Sequence, residues 1–335
     1  MRDCDRVGLG LGMLTTLACS AAVLYGTGCS GGGGDEAGIT EDGVTMADPA
    51  APAADPLPAA PGSPLPSDLK IDAGSPDAQA PVDPTLRTMW ALDDANRLVR
   101  FTSKEPGKVT VVALTGLAAG ERALGIDFRP KDGQLYALGS TSRLYVVDRT
   151  TGAAKPVGEK AFTPTLGGGM FGFDVNPLAD KIRVHSDTDQ NLRLDPAMGT
   201  AVVDGALSFA AGDKNVGQSP NLVATAYTNS VSPAPKATVL YAIDSTRNLL
   251  TKLATPNDGK VSTVGSLGVG ITDVAGFDIW GGVDGAGMSR PLQAYATLMV
   301  GGKTGLYSID LDMGAATLVA EVGTKAGLRG LAIEP

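Results

Sequence analysis

One histidine and three cysteines among 335 residues leave little room for several kinds of chemistry. A zinc site or a nucleophile paired with an imidazole needs companions for His185, and no second histidine, Cys motif or Ser motif provides them. His185 is therefore expected as an ordinary, partly exposed residue at a strand end. Cys4 and Cys19 fall within the first 28 residues. A chain that loses them with a signal keeps one cysteine and no internal disulfide. Aromatic residues make up only 5% of the sequence, so its packing must rest on Leu, Val, Ala and Gly. A basic excess is also missing. The net charge is −9, but residues 29–84 hold ten Asp/Glu and one Lys, and residues 85–335 hold 24 charges of each sign. That balance excludes the electropositive footprint of a nucleic-acid binder.

What the sequence does contain is a repeat. Residues 125–158, GIDFRPKDGQLYALGSTSRLYVVDRTTGAAKPVG, read as four short strands. Ile126 and Phe128 alternate with Asp127 and Arg129, the period-2 pattern of a half-buried strand. Asp132-Gly133 is a short-turn signal, and Gly152 is free to take positive φ before the fourth strand. Weaker copies begin at GFDVNP (172–177), LVATAYTN (222–229) and GFDIW (276–280). The remaining copy is split between the ends of this region. GLAIEP (330–335) is a first strand with nothing after it, and residues 88–114 supply strands two to four with no first strand before them.

A ring of four-stranded blades closes when one end of the chain completes the blade begun by the other, which leaves no open edge. The expectation is an all-β fold, a β-propeller of five four-stranded blades closed by pairing of the N- and C-terminal strands. Gly107, Gly152, Gly199, Gly259 and Gly314 mark the five fourth-strand turns. Six blades remain open, because residues 206–221 and 282–291 are longer than connections need to be.

Residues 1–28 read as an export signal, with Arg2 and Arg6 before a charge-free stretch from Val7 to Tyr25. Cys29, between GTG and SGGGG, resembles a bacterial lipobox, although Gly26 stands at −3 where Leu is usual. Leu17-Ala18-Cys19 is a second lipidation candidate, and Ser20-Ala21-Ala22 suits an ordinary signal peptidase. Residues 29–84 carry ten prolines and cannot bury enough apolar surface to fold, so they are expected as a semi-rigid, self-repelling tether. The folded domain is expected over residues 85–335. The expected setting is an outer-membrane or cell-surface lipoprotein held to the membrane by its lipid, or alternatively a periplasmic or secreted protein.

The runs ERALGIDFRPKDGQLYALGSTSRLYVVDRTTGAAKPVG, FGFDVNPLADKIRVHSDTDQNLRLDPAMG, AAGD, AYTN and LRGLAIEP resemble the bacterial family of domain of unknown function 4394. The resemblance covers residues 88–335 and implies a β-propeller-like fold with no established activity. The chain departs from the family pattern at His185, where a hydrophobic residue usually follows Arg-Val.

Asp127, Asp174 and Asp278 occupy one position in three first strands, two residues after a glycine. Since first strands line a propeller's channel, three carboxylates at one level are candidate oxygen ligands for Ca²⁺. The competing expectation is that each accepts hydrogen bonds from a neighbouring blade or pairs with Arg122 or Arg329. Ala226 or Tyr227, and Ala332, stand at this position in the other two copies, so the acidic ring is incomplete. Asn176, Asn229 and Glu334 are polar candidates for the channel mouth. Asp187, Asp189 and Asn191 alternate as in a Ca²⁺ loop but lack its glycine and final glutamate, and are expected as a solvated turn.

Two functional readings follow. The first is a monomeric, non-catalytic binding or scaffold module for a protein or carbohydrate ligand, with contacts on the long segments 206–221, 230–236 and 282–291. The alternative is a metal-dependent hydrolase or lactonase with a cation in the channel.

Overall fold

The computed structural model describes residues 86–335, all within one compact unit. The expected signal, the Cys29 lipidation site and the tether lie outside the described residues. These residues form twenty-one strands and one 3₁₀ turn, with no α-helix among them.

The first blade contains β1 (Thr88–Leu92), β2 (Arg97–Thr102) and β3 (Thr110–Ala113). The second contains β4 (Ala123–Phe128), β5 (Leu135–Gly139), β6 (Arg143–Val147) and β7 (Ala154–Val157). The third runs through β8 (Phe171–Asn176), β9 (Lys181–Ser186), β10 (Asn191–Leu194) and β11 (Ala201–Val203). The fourth comprises β12 (Ser208–Phe209), β13 (Leu222–Tyr227), β14 (Leu240–Asp244), β15 (Leu249–Leu253) and β16 (Lys260–Ser266). The fifth has β17 (Ala275–Val283), β18 (Ser289–Val300), β19 (Lys303–Ile309) and β20 (Ala316–Glu321), and the chain ends with β21 (Arg329–Ile333).

The last strand completes the first blade. β21 pairs antiparallel with β1, placing Met89 opposite Ile333 and Trp90 opposite Ala332. The Glu334 amide extends the ladder to the Thr88 carbonyl at 3.0 Å. Both strands thereby satisfy backbone groups that would otherwise form an open edge. The sheet order is β21-β1-β2-β3, so β21 is innermost, like β4, β8, β13 and β17 in their blades. These five strands touch in that order around a ring, and β17 returns to β21.

The fold is thus a five-bladed β-propeller. The two long segments hide no sixth blade. In residues 206–221, β12 adds a parallel fifth strand to the outer edge of β16. Residues 282–291 form the tip of the long β17–β18 hairpin, which carries a bulge between Trp280 and Gly282.

Three of the five turns before the fourth strands repeat one solution. Asp148 Oδ1 accepts from the Thr150 and Thr151 amides at 2.8 and 3.0 Å, while the Gly152 amide returns to the Asp148 carbonyl at 2.7 Å. Gly152 has φ 73°, a conformation that a Cβ would penalise. Asp195 with Gly199 and Asp310 with Gly314 reproduce these bonds. Gly107 is the exception among the five marker glycines, lacking the left-handed conformation.

The apolar residues collect between blades. Separate clusters join the first blade to the second, the second to the third, the fourth to the fifth, and the fifth to the first. The junction of the third and fourth blades differs. Its cluster is drawn entirely from residues 207–261, while the buried apolar side chains of β8, β9 and β10 all face the second blade.

Candidate functional site

The residue two before each channel aspartate explains how the inner strands come together. A Cβ on Gly125 would lie 2.6 Å from Phe173 Cβ in the next blade, and one on Gly276 would lie 2.6 Å from the Gly330 carbonyl carbon. On Gly172 it would lie 2.9 Å from Thr225 Cβ. Glycine therefore lets each inner strand approach its successor, and the aspartate two residues later bonds to that same successor.

Asp127 Oδ2 accepts from the Val175 amide at 2.8 Å, Asp174 Oδ1 from the Tyr227 amide at 3.0 Å, and Asp278 Oδ2 from the Ile333 amide at 2.6 Å. These tie β4 to β8, β8 to β13, and β17 to β21. Asp127 Oδ1 and Asp278 Oδ1 also accept from their own next amides, Phe128 at 2.7 Å and Ile279 at 2.6 Å. Asp174 has no such second donor, because the next amide, that of Val175, is bound to Asp127. Its Oδ2 is buried and has no partner.

The three side chains are buried, and one oxygen of each lies within 4.8 Å of the others. Burial raises the Asp127 carboxyl well above the usual range, with the Asp278 charge adding to the effect. Asp174 is likewise raised by burial and then by Asp127 and Asp278. Burial pushes Asp278 up to about 7, against the pull of its two amide donors. No arginine pairs with the trio in the described residues. Arg329 lies at the other end of the inner strands, beside Leu124, Met170 and Asp273.

Asn176, Asn229 and Glu334 follow the same face of the ring but do not converge on the trio. Asn176 Oδ1 accepts from the Leu178 and Ala179 amides at 2.9 Å each. Asn229 donates to the Ala237 carbonyl at 2.7 Å and accepts from the Val283 amide at 3.2 Å. Glu334 Oε1 accepts from Trp90 Nε1 at 2.9 Å. Asn176 closes a local turn, Asn229 ties its loop to the end of β17, and Glu334 fixes the terminal strand.

The junction of the third and fourth blades carries a second group of polar residues. In KIRVHS, Ile182 and Val184 face the second blade, so Arg183 and His185 point the other way, toward the fourth. Arg183 is 2% exposed. It donates to Asn191 Oδ1 at 2.7 Å, Asp204 Oδ2 at 2.6 Å and, across the junction, Asn257 Oδ1 at 2.7 Å. Asn191 donates onward to the Gly205 and Pro256 carbonyls at 2.9 and 2.8 Å. Arg193 shares the Asp204 carboxylate, at 2.6 and 2.9 Å.

His185 corrects the expectation of an ordinary, partly exposed residue: it is fully buried. The alternation of its strand tells two faces apart but does not reveal that the polar face meets another blade. Burial, aided by the Arg183 charge and opposed by Asn191, holds its imidazole down at about 3. Asn191 stands opposite in the ladder, yet neither ring nitrogen reaches a hydrogen-bond partner. The expected solvated turn is also corrected. Asn191 is buried, and Asp187 accepts from the Gly169 and Met170 amides, just before β8, at 2.9 and 3.2 Å.

This junction opens on a cleft of about 440 Å³. Asn176, Lys181, Arg183 and Arg193 of the third blade border it, together with Tyr227 and Thr255–Asp258 of the fourth. Its volume lies within the range typical of small-molecule pockets. Sequence reading misses the cleft because its walls come from segments up to eighty residues apart, and Arg183 in β9 is the only early signal.

No protein of a curated collection matches the sequence. Solved structures resemble the fold at low similarity. A catalytically inactive virginiamycin B lyase from Staphylococcus aureus, solved with quinupristin, matches at 11% identity over 71% of each chain, with TM-score 0.37. A nidogen–laminin complex matches at 12% identity over 75% of this chain and 98% of that one, with TM-score 0.42. An auxiliary nutrient binding protein from Bacteroides thetaiotaomicron matches at 14% identity over 73% of this chain and 58% of that one, with TM-score 0.35. The family model of the domain of unknown function (DUF4394) matches residues 97–332, and with the split-blade propeller it places this chain in that family.

Proposed function

We propose that this chain is an exported, lipid-anchored, non-catalytic binding module that holds a polar ligand in the cleft between its third and fourth blades. The observation that carries the reading is the polar character of that junction. The other four junctions are filled with hydrophobic side chains, whereas this one buries Arg183, His185 and Asn191, and Arg183 lines an open cleft. Buried polar groups at a place where apolar packing is the local rule are a mark of function.

The exposed amide, hydroxyl and cationic groups around the cleft suit a hydroxyl-rich ligand, and we take an oligosaccharide as its class. The hydrolase reading is the weaker one, because Asn176, Asn229 and Glu334 bond to backbone or to Trp90 and none is aimed at the channel trio. In this reading the protein acts as a monomer at the outer membrane or cell surface. Cys29 carries the lipid, and residues 29–84 hold the propeller off the bilayer.

Two experiments test the parts separately. Affinity electrophoresis against a panel of immobilised polysaccharides should show retardation that Arg193→Ala removes without lowering the melting temperature, since Arg183 still neutralises Asp204. Equal retardation of the variant would remove the cleft from the account. Metabolic palmitate labelling should mark the wild type and not Cys29→Ala. Labelling of that variant would reject Cys29 as the lipidated residue.

A further inference from the structure

The channel carboxylates point to a ligand independent of the cleft. Asp127, Asp174 and Asp278 come from β4, β8 and β17, three different blades, and each contributes an oxygen within 4.8 Å of the other two. A point equidistant from three atoms at that largest spacing lies about 2.8 Å from each, and closer spacing brings it into the 2.3–2.6 Å range of Ca²⁺–oxygen bonds.

The arrangement of donors singles out one oxygen. The Val175 amide can serve either its own neighbour Asp174 or Asp127 of the preceding blade, and it serves Asp127 at 2.8 Å. Asp174 Oδ2 is consequently left buried without a donor, although the other two aspartates have both oxygens satisfied. A buried, unpaired carboxylate oxygen is costly unless a proton or a cation meets it. Beside Asp127 and Asp278 lies a cavity of about 10 Å³, bordered also by Ser230 and Trp280. That is about the space of one water or one bare ion.

We propose that Asp127, Asp174 and Asp278 hold one hard divalent cation, of the Ca²⁺ class, as a pin across the channel. A dication neutralises most of the charge of three crowded carboxylates and supplies Asp174 Oδ2 with the partner that the backbone denies it. The oxygen-only ligand set favours Ca²⁺ over softer metals. The pin is structural: it links the inner strands of blades two, three and five, which no disulfide can join because residues 86–335 contain no cysteine.

The full chain, stripped with chelator and desalted, is titrated with Tb³⁺ under tryptophan excitation, then with Ca²⁺ alone as competitor. Trp280 borders the cavity and serves as the sensitiser. The expected result is saturable emission at one ion per chain, displaced by Ca²⁺, weakened at least 100-fold in Asp174→Asn and dimmed in Trp280→Phe. Calcium should also raise the melting temperature of the wild type. Absence of saturable binding would overturn the proposal, as would an unchanged affinity in a folded Asp174→Asn, which would assign the ion to acids elsewhere. Should that variant fail to fold, Trp280→Phe decides: undiminished sensitised emission places the ion away from the trio.

Discussion

The Val175 amide donates to Asp127 of the preceding blade and not to Asp174 beside it. This one choice makes three aspartates at equivalent sequence positions physically unequal. Asp127 and Asp278 each receive two amide protons, while Asp174 receives one.

Asparagine substitution should expose that inequality. An amide side chain has one acceptor oxygen, so Asp127→Asn or Asp278→Asn turns an NH₂ toward a backbone N–H. Each should cost about 1–3 kcal/mol in metal-free protein. Asp174→Asn keeps its bond to Tyr227 and replaces an orphaned oxygen with a donor facing the other two carboxyls. It should be neutral or stabilising without metal. Chemical denaturation in chelator measures all three, and equal losses would contradict the inequality.

Glycine spacing gives a second prediction. Gly276→Ala would set a methyl 2.6 Å from the Gly330 backbone, forcing β17 away from β21. Overpacking of this kind costs about 1–3 kcal/mol. Gly270→Ala, with nothing within 4 Å of the new methyl, is the control and should change stability little. Equal melting temperatures for the two variants would remove glycine-dependent approach as the reason for the Gly-x-Asp pattern.

These two relationships bear on what the sequence makes legible. The five-blade count is readable because a glycine marks the turn before each fourth strand, three times at four residues after an aspartate, and because a lone first strand at one end matches a missing one at the other. The Gly-x-Asp repeats mark the channel-facing strands for the same reason. The donor accounting that separates Asp174 from its equivalents is not legible, since it depends on which of two carboxylates an amide meets. Nor is the third–fourth junction. Arg183 and His185 alternate with Ile182 and Val184 just as solvent-facing residues would, and it is the fourth blade, through Asn257 against Arg183 and the Pro256 carbonyl against Asn191, that makes that face an interior.

The buried histidine carries a pH prediction. His185 titrates at about 3 in the folded chain and near its ordinary 6.5 in the unfolded chain. Between those values the unfolded state binds the extra proton, so stability is lost as pH falls from 6.5 toward 3. The slope is at most about 1.4 kcal/mol per pH unit. The channel carboxyls act in the opposite sense. Asp278 keeps its proton up to about 7 when folded, so its contribution is present below its unfolded value of 3.8 and is lost as pH rises through 7. The difference between wild type and His185→Leu isolates the histidine. The variant should lose less stability on acidification from pH 6.5 to 4.5, and parallel profiles would contradict a buried neutral imidazole.

Closure of the ring by β21 against β1 underlies the channel, the blade order and the Ile333 donor to Asp278, so it is the claim to test most directly. The measurement is thermal unfolding of the chain with residues 329–335 deleted, alone and with a synthetic peptide of those seven residues added back. Deletion removes the innermost strand of the first blade, leaves one edge of β1 unpaired and takes the Ile333 donor from Asp278 Oδ2. The account predicts a broad, early transition for the deleted chain and recovery of a single cooperative transition with saturating peptide. A deleted chain that melts as the intact one does, with no response to the peptide, would contradict it.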